Sequence, residues 1–263
     1  MTAESKPAVG LFATCLADLF RPTVAFAAAR LLRAAGCTVT VPLAQTCCGQ
    51  PAYNSGDAHS ARCIAKRVVE VFSPYDFTVA PSGSCAAMIR EHYPALLGDD
   101  PGLREKSQTL ARRTYELTSF LADVRDFTAV DAAFNCAVTY HDSCAGLREC
   151  GIRRQPRRLL QQVRGLTLRE MADSDVCCGF GGTFCVKYPD ISARMAGDKA
   201  HAVAQSGADA VLGGDLGCLL NIAGCIKRSG GGARVFHVAE VLAGLAGAAI
   251  GEGEGEGEGG GAK

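Results

Sequence analysis

The chain has 263 residues, which is long enough for one large domain or for two smaller domains with hydrophobic cores. It carries 27 basic and 27 acidic side chains, a balance that excludes the strong positive charge typical of nucleic-acid-binding proteins. No run of about 18 apolar residues occurs, so we expect no membrane span. The first residues lack the apolar segment of a secretory signal, and we expect a cytoplasmic protein.

Short apolar runs alternate with amphipathic stretches, a pattern typical of parallel sheets with helical crossovers. In chain order, strands are predicted over residues 8–13, 38–41, 77–80, 136–140, 166–170, 210–213 and 234–237. Helices are predicted over residues 23–35, 60–72, 86–93, 103–124, 154–163, 191–206, 219–228 and 238–245. We therefore predict an α/β fold of two similar tandem cysteine-rich domains, with parallel sheets and flanking helices. The predicted limits are 1–125 and 126–250, followed by a flexible Gly/Glu tail over 251–263.

Fourteen cysteines are the unusual feature of the composition. A chain of this length does not need disulfides to replace a core, so thiolates in a reducing compartment are expected, and in this number they indicate metal binding. A single Cys, a Cys-Cys-Gly triplet and a final Cys occur twice in the same order. The first set is Cys15, Cys47, Cys48 and Cys85, and the second set is Cys144, Cys177, Cys178 and Cys218.

The spacing within each set predicts where the thiols meet. Between 31 and 39 residues separate successive motif positions, about the length of one strand–helix unit. Each position follows a predicted strand, so each set is expected at the carboxyl edge of a parallel sheet, where such folds bind ligands. Adjacent cysteines would point to opposite faces in a strand, whereas a turn that continues into Gly49 or Gly179 lets both face one object.

The sequence leaves the bound group open. No C-x-x-C pair occurs, although zinc fingers and bacterial ferredoxins depend on such pairs. Four thiolates from separate loops suit an iron–sulfur centre, a structural zinc ion or thiol redox chemistry.

Residues near the second set have two interpretations each. His141 either donates to a cluster sulfur or is a satisfied histidine at a strand end, and Asp142 is expected to cap the following turn. Cys150 and Cys185 could approach the second set, whereas the other four cysteines are expected to be buried packing residues. A basic patch could attract a carboxylate or an acidic partner, or could be a solvated helix face. The residues of this patch are Arg148, Arg153, Arg154, Arg157 and Arg158.

Two segments carry a family resemblance: 141–148, which reads HDSCAGLR, and 177–184, which reads CCGFGGTF. They resemble the cysteine-rich CCG iron–sulfur proteins, which include the heterodisulfide reductase B subunit and the glycolate oxidase iron–sulfur subunit. Across residues 8–245 the chain is most similar to the lactate utilization protein A family, also called the LldE-type (Fe-S)-binding family. The resemblance implies up to two [4Fe–4S] clusters, ligated by the eight cysteines of the two sets.

The resemblance also implies a function. The chain would be an iron–sulfur electron-transfer subunit of a complex that oxidises L-lactate to pyruvate, an oxidoreductase component with partner subunits that include a ferredoxin-type iron–sulfur protein. Because no flavin or nicotinamide motif occurs, we expect it to pass electrons or to complete an active site within that complex. A small carboxylate substrate is a further option, and no nucleic-acid partner is expected.

Two alternatives stay open. One is a heterodisulfide reductase-like thiol/disulfide oxidoreductase, but that motif ends in C-x-x-C, and this sequence has Met88 and Asn221 at the last positions. The other alternative is a zinc-stabilised interaction module.

Overall fold

The computed structural model describes residues 6–252, which form two four-stranded parallel sheets flanked by helices. The strands are β1 Ala8–Leu11, β2 Thr38–Thr40, β3 Phe77–Ala80, β4 Thr114–Glu116, β5 Ala133–His141, β6 Arg164–Leu168, β7 Ala210–Gly213 and β8 Arg234–His237. The sheet orders are β2-β1-β3-β4 and β6-β5-β7-β8, so one topology occurs twice. The predicted α/β fold with tandem parallel sheets is confirmed.

Local sequence explains where the helices form. In α4 the Asp57 carboxylate accepts from the Ser60 N–H at 3.0 Å, and a buried apolar stripe includes Ala61, Ala65 and Val68. Two short π-helical segments, Met88–His92 and Phe120–Val124, follow α5 and α8. The helices are α1 Cys15–Phe20, α2 Thr23–Ala34, α3 Gln50–Asn54, α4 Ala58–Phe72, α5 Gly83–Ala87, α6 Tyr93–Leu96, α7 Pro101–Arg112, α8 Leu117–Ser119, α9 Cys144–Arg148, α10 Arg154–Leu160, α11 Phe184–Lys187, α12 Pro189–Gln205, α13 Leu216–Arg228 and α14 Val238–Leu242.

The prediction of one helix over residues 103–124 is wrong. Helix α7 ends at Arg112, and Thr114–Glu116 pairs in parallel with β3 as the fourth strand of the first sheet. Three residues are too few to give an alternating pattern in the sequence, so the pairing with β3 decides this strand. The Glu116 carboxylate then accepts backbone N–H groups at the start of α8.

One apolar core extends across both sheets in the part of the chain described. It contains Val9 and Leu11 from the first sheet together with Val138, Leu212 and Phe236 from the second. The predicted domain limit between residues 125 and 126 falls between β4 and β5 and stays a prediction. Apart from its first two residues, the predicted tail over 251–263 lies outside the described residues. Among residues 6–252, no helix is long and apolar enough to cross a membrane.

Candidate metal centres

Each cysteine set lies just beyond the carboxyl ends of the strands of one sheet. Cys15 begins α1 after β1, and Cys85 lies in α5 after β3. In the second half, Cys144 begins α9 after β5, and Cys218 lies in α13 after β7. The Cys-Cys pairs occupy the loops that follow β2 and β6. The sheet-edge placement that the spacing predicts is therefore observed.

The first set forms a chain of interacting thiols. The Cys15 and Cys47 Sγ atoms lie 3.8 Å apart, and the Gly49 N–H donates to Cys47 Sγ at 3.4 Å. Hydrogen bonds from the Cys15 and Cys48 thiols, and then from Gly49, lower the pKa of Cys47 to about 2. Hydrogen bonding to Cys47 raises the pKa of Cys15 and of Cys48, and Cys48 also interacts with Cys85. One position is thus favoured as a thiolate before any metal binds.

The second set repeats this arrangement. The Gly179 N–H donates to Cys177 Sγ at 3.4 Å. Hydrogen bonds from the Cys144 and Cys178 thiols lower the pKa of Cys177 to about 2, and hydrogen bonding to Cys177 raises the pKa of both partners. Cys178 in turn interacts with Cys218. The two sets therefore share one geometry as well as one order in the sequence.

Glycine is required directly after each Cys-Cys pair. Gly49 and Gly179 have φ of +83° and +84°, a conformation that side chains with a Cβ rarely adopt. A Cβ at Gly179 would lie 2.8 Å from the Ser192 carbonyl oxygen, and one at Gly49 would lie 3.2 Å from Ile64 Cγ2. The turn that presents two adjacent thiols to one object, as the sequence predicts, is present in both halves.

The donor sets fit iron–sulfur clusters better than single ions. Among the described residues, only His141, Cys178 and Cys218 form a group of three or more ligating side chains whose ligand atoms all lie within 4.8 Å of one another. The four thiols of neither set are that close, whereas a tetrahedral zinc ion with bonds of about 2.3 Å needs its ligands within roughly 4 Å. Four soft thiolates around a wider space suit a cluster.

The two sets face each other across the junction between the halves. A Cβ at Gly83 of α5 would lie 2.7 Å from the Gly146 Cα of α9, so only glycine permits this approach. A cavity of about 240 Å³ is lined by all four first-set cysteines and by Phe180 and Gly182 of the second half. A cavity of about 170 Å³ beside Cys144 and Cys218 shares Phe180 and Gly182 with it.

Asp215 connects the two halves at this junction. It precedes Cys218 by three residues, as Ser82 precedes Cys85. The Asp215 carboxylate accepts from the Ser84 N–H at 2.9 Å and from the Ser82 hydroxyl at 3.3 Å. Burial raises the pKa of Asp215. This carboxyl group lines both cavities, and its charge acts on Cys218 of the second set.

His141 is buried beside the second set without a hydrogen-bond partner in the described part of the chain. Only 1% of the residue is exposed, and neither ring nitrogen makes a hydrogen bond. Burial lowers the pKa of His141 to about 3, and the charge of Lys199 acts in the same direction. The histidine does end β5, but among the described residues neither ring nitrogen reaches hydrogen-bond distance of a partner, and Ser174 provides the only backbone group that acts on the ring.

Asp142 is fixed by an internal ion pair. Both of its carboxylate oxygens accept from Arg157, at 2.8 and 2.9 Å, and the Ser174 hydroxyl donates to it at 3.0 Å. The expectation that Asp142 caps the next turn is wrong, since no side chain caps α9. Arg157 also binds Glu170, so it does not belong to a solvated helix face. Arg158 pairs with Asp126, whereas Arg148, Arg153 and Arg154 are exposed.

The six other cysteines have mixed surroundings. Cys37 and Cys136 are buried as expected, but Cys63 is exposed and Cys225 is only half-buried. Cys150 packs against the apolar cluster of the first half. The Cys185 thiol donates to the Gly182 carbonyl at 3.4 Å.

Sequence reasoning missed three residues that support the sites. The Tyr93 hydroxyl donates to the Cys48 carbonyl at 2.8 Å, and the Asn221 amide donates to the Cys178 carbonyl at the same distance. Lys199 is buried, and its ammonium donates to the Asp173 carbonyl. No sequence signal singled out Lys199, because its counterpart in the first half is defined only by the contacts that Gly49 and Gly179 make with the following helices.

The fold and the paired thiol sets define a tandem cysteine-rich domain protein. A sequence model of the Cysteine-rich domain family matches residues 9–90 and 138–223, once per sheet. Lactate utilization protein A of Exiguobacterium sp. is 47% identical over 238 residues, which cover 90% of this chain and 97% of that protein. Its counterpart in Bacillus subtilis is 45% identical over 234 residues, which cover 89% and 98%. This chain belongs to the lactate utilization protein A family.

A solved structure shows a similar fold. A hypothetical protein from Helicobacter pylori matches with a TM-score of 0.66 and 12% sequence identity. The match covers 95% of this chain and 50% of that chain. At this identity the likeness concerns the fold alone.

Proposed function

We propose that this protein is an iron–sulfur electron-transfer subunit of a complex that oxidises L-lactate to pyruvate in the cytoplasm. Each half would hold one [4Fe–4S] cluster through its four motif cysteines. The observation that carries the proposal is the gathering of four interacting thiols at the carboxyl edge of each sheet. The first cluster would bind Cys15, Cys47, Cys48 and Cys85, and the second would bind Cys144, Cys177, Cys178 and Cys218.

A bound cluster would supply a centre that accepts and releases single electrons. The protein's own groups prepare each site for it. The Gly49 and Gly179 N–H groups stabilise one thiolate in each set. The Tyr93 and Asn221 side chains hold the carbonyl groups of Cys48 and Cys178, and thereby fix the peptides that carry these two N–H groups. The facing arrangement of the two sites, held by the Gly83–Gly146 contact, supports transfer between them.

The pathway is taken from the relatives. Proteins that share 45–47% of their residues with this chain over about nine-tenths of its length are named lactate utilization protein A. An oxidation of lactate needs an acceptor for two electrons, and single-electron centres must act with partners. We therefore propose partner subunits that include a ferredoxin-type iron–sulfur protein. Direct binding of lactate is less favoured, because Asp215 is an acidic group in both cavities.

The two alternatives are less well supported by the site. A disulfide-reducing centre of the heterodisulfide reductase type would need a thiol where this chain has Met88, which is fully buried, and Asn221, which holds the Cys178 carbonyl. A zinc module would need four thiols around one ion, and neither set is that compact.

Iron and acid-labile sulfide in anaerobically reconstituted protein test the clusters. We expect two visible-absorbing centres, and Cys48→Ser or Cys178→Ser each to remove about half of the iron. Cys63→Ser is the matched control, because that thiol is exposed and outside both sets. Bound zinc without iron, or an unchanged iron content in both site variants, would contradict the proposal.

Growth on L-lactate tests the pathway. A deletion strain of the source organism should fail to grow on L-lactate but grow on pyruvate. The wild-type gene and Cys63→Ser should restore growth, whereas Cys178→Ser should not. Normal growth of the deletion strain on L-lactate would contradict the role in lactate oxidation, whatever the iron content.

A further inference from the structure

The two halves can be compared position by position around their cysteines. Cys15 corresponds to Cys144, so Phe12 takes the place of His141. The glycines of the Cys-Cys-Gly turns contact equivalent helices: Gly49 faces Ala61 and Ile64 of α4, and Gly179 faces Ser192 and Met195 of α12. Ala61 is therefore equivalent to Ser192, and seven residues further along each helix Val68 is equivalent to Lys199. Met88 is equivalent to Asn221, because each lies three residues after the final cysteine of its set.

The first site has apolar surroundings. Phe12, Val68 and Met88 are fully buried and belong to one apolar cluster with Cys48 and Cys85. The main groups that act on the thiols of this set are other cysteines and backbone N–H groups. Asp215 is the charged residue that lines the adjoining cavity.

The second site has polar surroundings at the same three positions. His141 and Lys199 are almost fully buried, at 1% and 2% exposed, and Asn221 is half-buried. A ring nitrogen of His141 lies within 4.8 Å of the Sγ atoms of Cys178 and Cys218. The charge of Lys199 acts on the same two thiols. A buried imidazole without a partner is costly, so its N–H needs an acceptor at this site.

The negative groups near the second site do not cancel Lys199. Asp142 is already paired by the two-pronged contact with Arg157. Asp173 is exposed and Asp175 is half-buried. Asp215 acts on Cys218, but it also lines the first cavity, where its carboxylate accepts from the Ser84 N–H of the first half. The difference between the halves is therefore one buried ammonium and one buried N–H donor. Reduction adds negative charge to a cluster, which positive charge and hydrogen bonds to sulfur stabilise.

We propose that the second site holds its cluster at a higher reduction potential than the first, because His141 donates to a cluster sulfur and Lys199 adds a positive charge. This inference rests on the proposed presence of an iron–sulfur cluster in each half. An electron shared between the two clusters would then reside mainly on the cluster of the second half.

A potentiometric titration followed by EPR tests the order of the potentials. The reconstituted full-length protein should show two separate reduction steps. In Cys178→Ser the step at higher potential should disappear, and in Cys48→Ser the step at lower potential should disappear. If no iron binds, the proposed function fails together with this inference. If both centres form but share one potential, or if the assignment is reversed, only this inference fails.

Matched variants test the cause. Lys199→Met and His141→Phe should each move only the higher step to a lower potential, and Lys199→Arg should largely preserve it. Lys66→Met, which removes an exposed charge from α4, is the control and should move neither step. An unchanged higher step in both Lys199→Met and His141→Phe would overturn the proposal.

Wild-type protein with ¹⁵N-labelled histidine tests the role of His141 without any substitution. Pulsed EPR of the higher-potential centre should show a weak nitrogen coupling, as a hydrogen bond to sulfur gives. No coupling, or the strong coupling of an imidazole bound directly to iron, would overturn the donor role of His141.

Discussion

The two halves of this protein repeat one sheet topology and one set of thiols, yet they surround the thiols differently. Phe12, Val68 and Met88 enclose the first site, whereas His141, Lys199 and Asn221 take their places in the second. The repeated sheet topology places four thiols at the same edge in both halves. Side chains one layer further out are free to differ, and they set the electrostatic environment of each site.

The largest expected change in stability concerns an ion pair that the first half lacks. Asp142, whose counterpart is Ala13, has a fully buried side chain paired with Arg157. Arg157→Met leaves that carboxylate with the Ser174 hydroxyl alone, and we expect a loss of about 3–5 kcal/mol in the free energy of unfolding. The double variant Asp142→Ala with Arg157→Met has an alanine at this position, as the first half does, and leaves no unpaired buried charge. Urea unfolding should show that it recovers most of the lost free energy of unfolding. A double variant as unstable as the single one would contradict this reading of the difference.

The last residues of the fourth strands, β4 and β8, should make stability depend on pH in opposite ways. His237 ends β8 and Glu116 ends β4, and each caps the following helix. Burial lowers the pKa of His237 to about 4 and raises the pKa of Glu116 to about 7. The His237 contribution is therefore present above pH 6.5 and lost as the pH falls towards 4. The Glu116 contribution is present below pH 4.5 and lost as the pH rises through 7.

Each pKa shift corresponds to a change on the order of 3 kcal/mol in the free energy of unfolding across its pH interval. Urea midpoints measured across this pH range should show that His237→Asn removes the acid-side loss and that Glu116→Gln raises stability above pH 7. Asn provides an amide oxygen in place of the accepting His237 Nδ1, and Gln keeps a side-chain oxygen, so both replacements can still accept from the helix N-terminus. Variants that follow the wild-type pH dependence would show that these caps do not titrate as the structure indicates.

The smallest expected effect tests the contact between the halves. A methyl group at Gly83 would meet the Gly146 Cα at 2.7 Å, so Gly83→Ala should cost about 1–3 kcal/mol in unfolding free energy. Gly197→Ala is the control within α12, because its Cβ would meet nothing within 4 Å. That control should be stabilised by about 0.5–1 kcal/mol. Equal changes in the free energy of unfolding for the two substitutions would show that the contact between Gly83 and Gly146 is not tightly packed.

Much of the fold followed from local patterns. Strands β3, β7 and β8 have the predicted limits, because short apolar runs between turn signals define them. The spacing of Cys15, Cys47 and Cys85 also predicted one site per sheet, since a parallel sheet returns the chain to the same edge. Strand β4 was missed because three residues carry no periodicity of their own.

The sequence by itself determined the repeat, the two thiol sets and the glycine after each Cys-Cys pair, because spacing and backbone conformation are local properties. Only the tertiary structure decided the surroundings of those thiols. Asp142 and Arg157 lie 15 residues apart but form one buried pair. Lys199 reaches the second site from α12, which lies between Cys178 and Cys218 in the chain. Burial and charge at a site depend on which elements pack together, and no stretch of sequence contains that information.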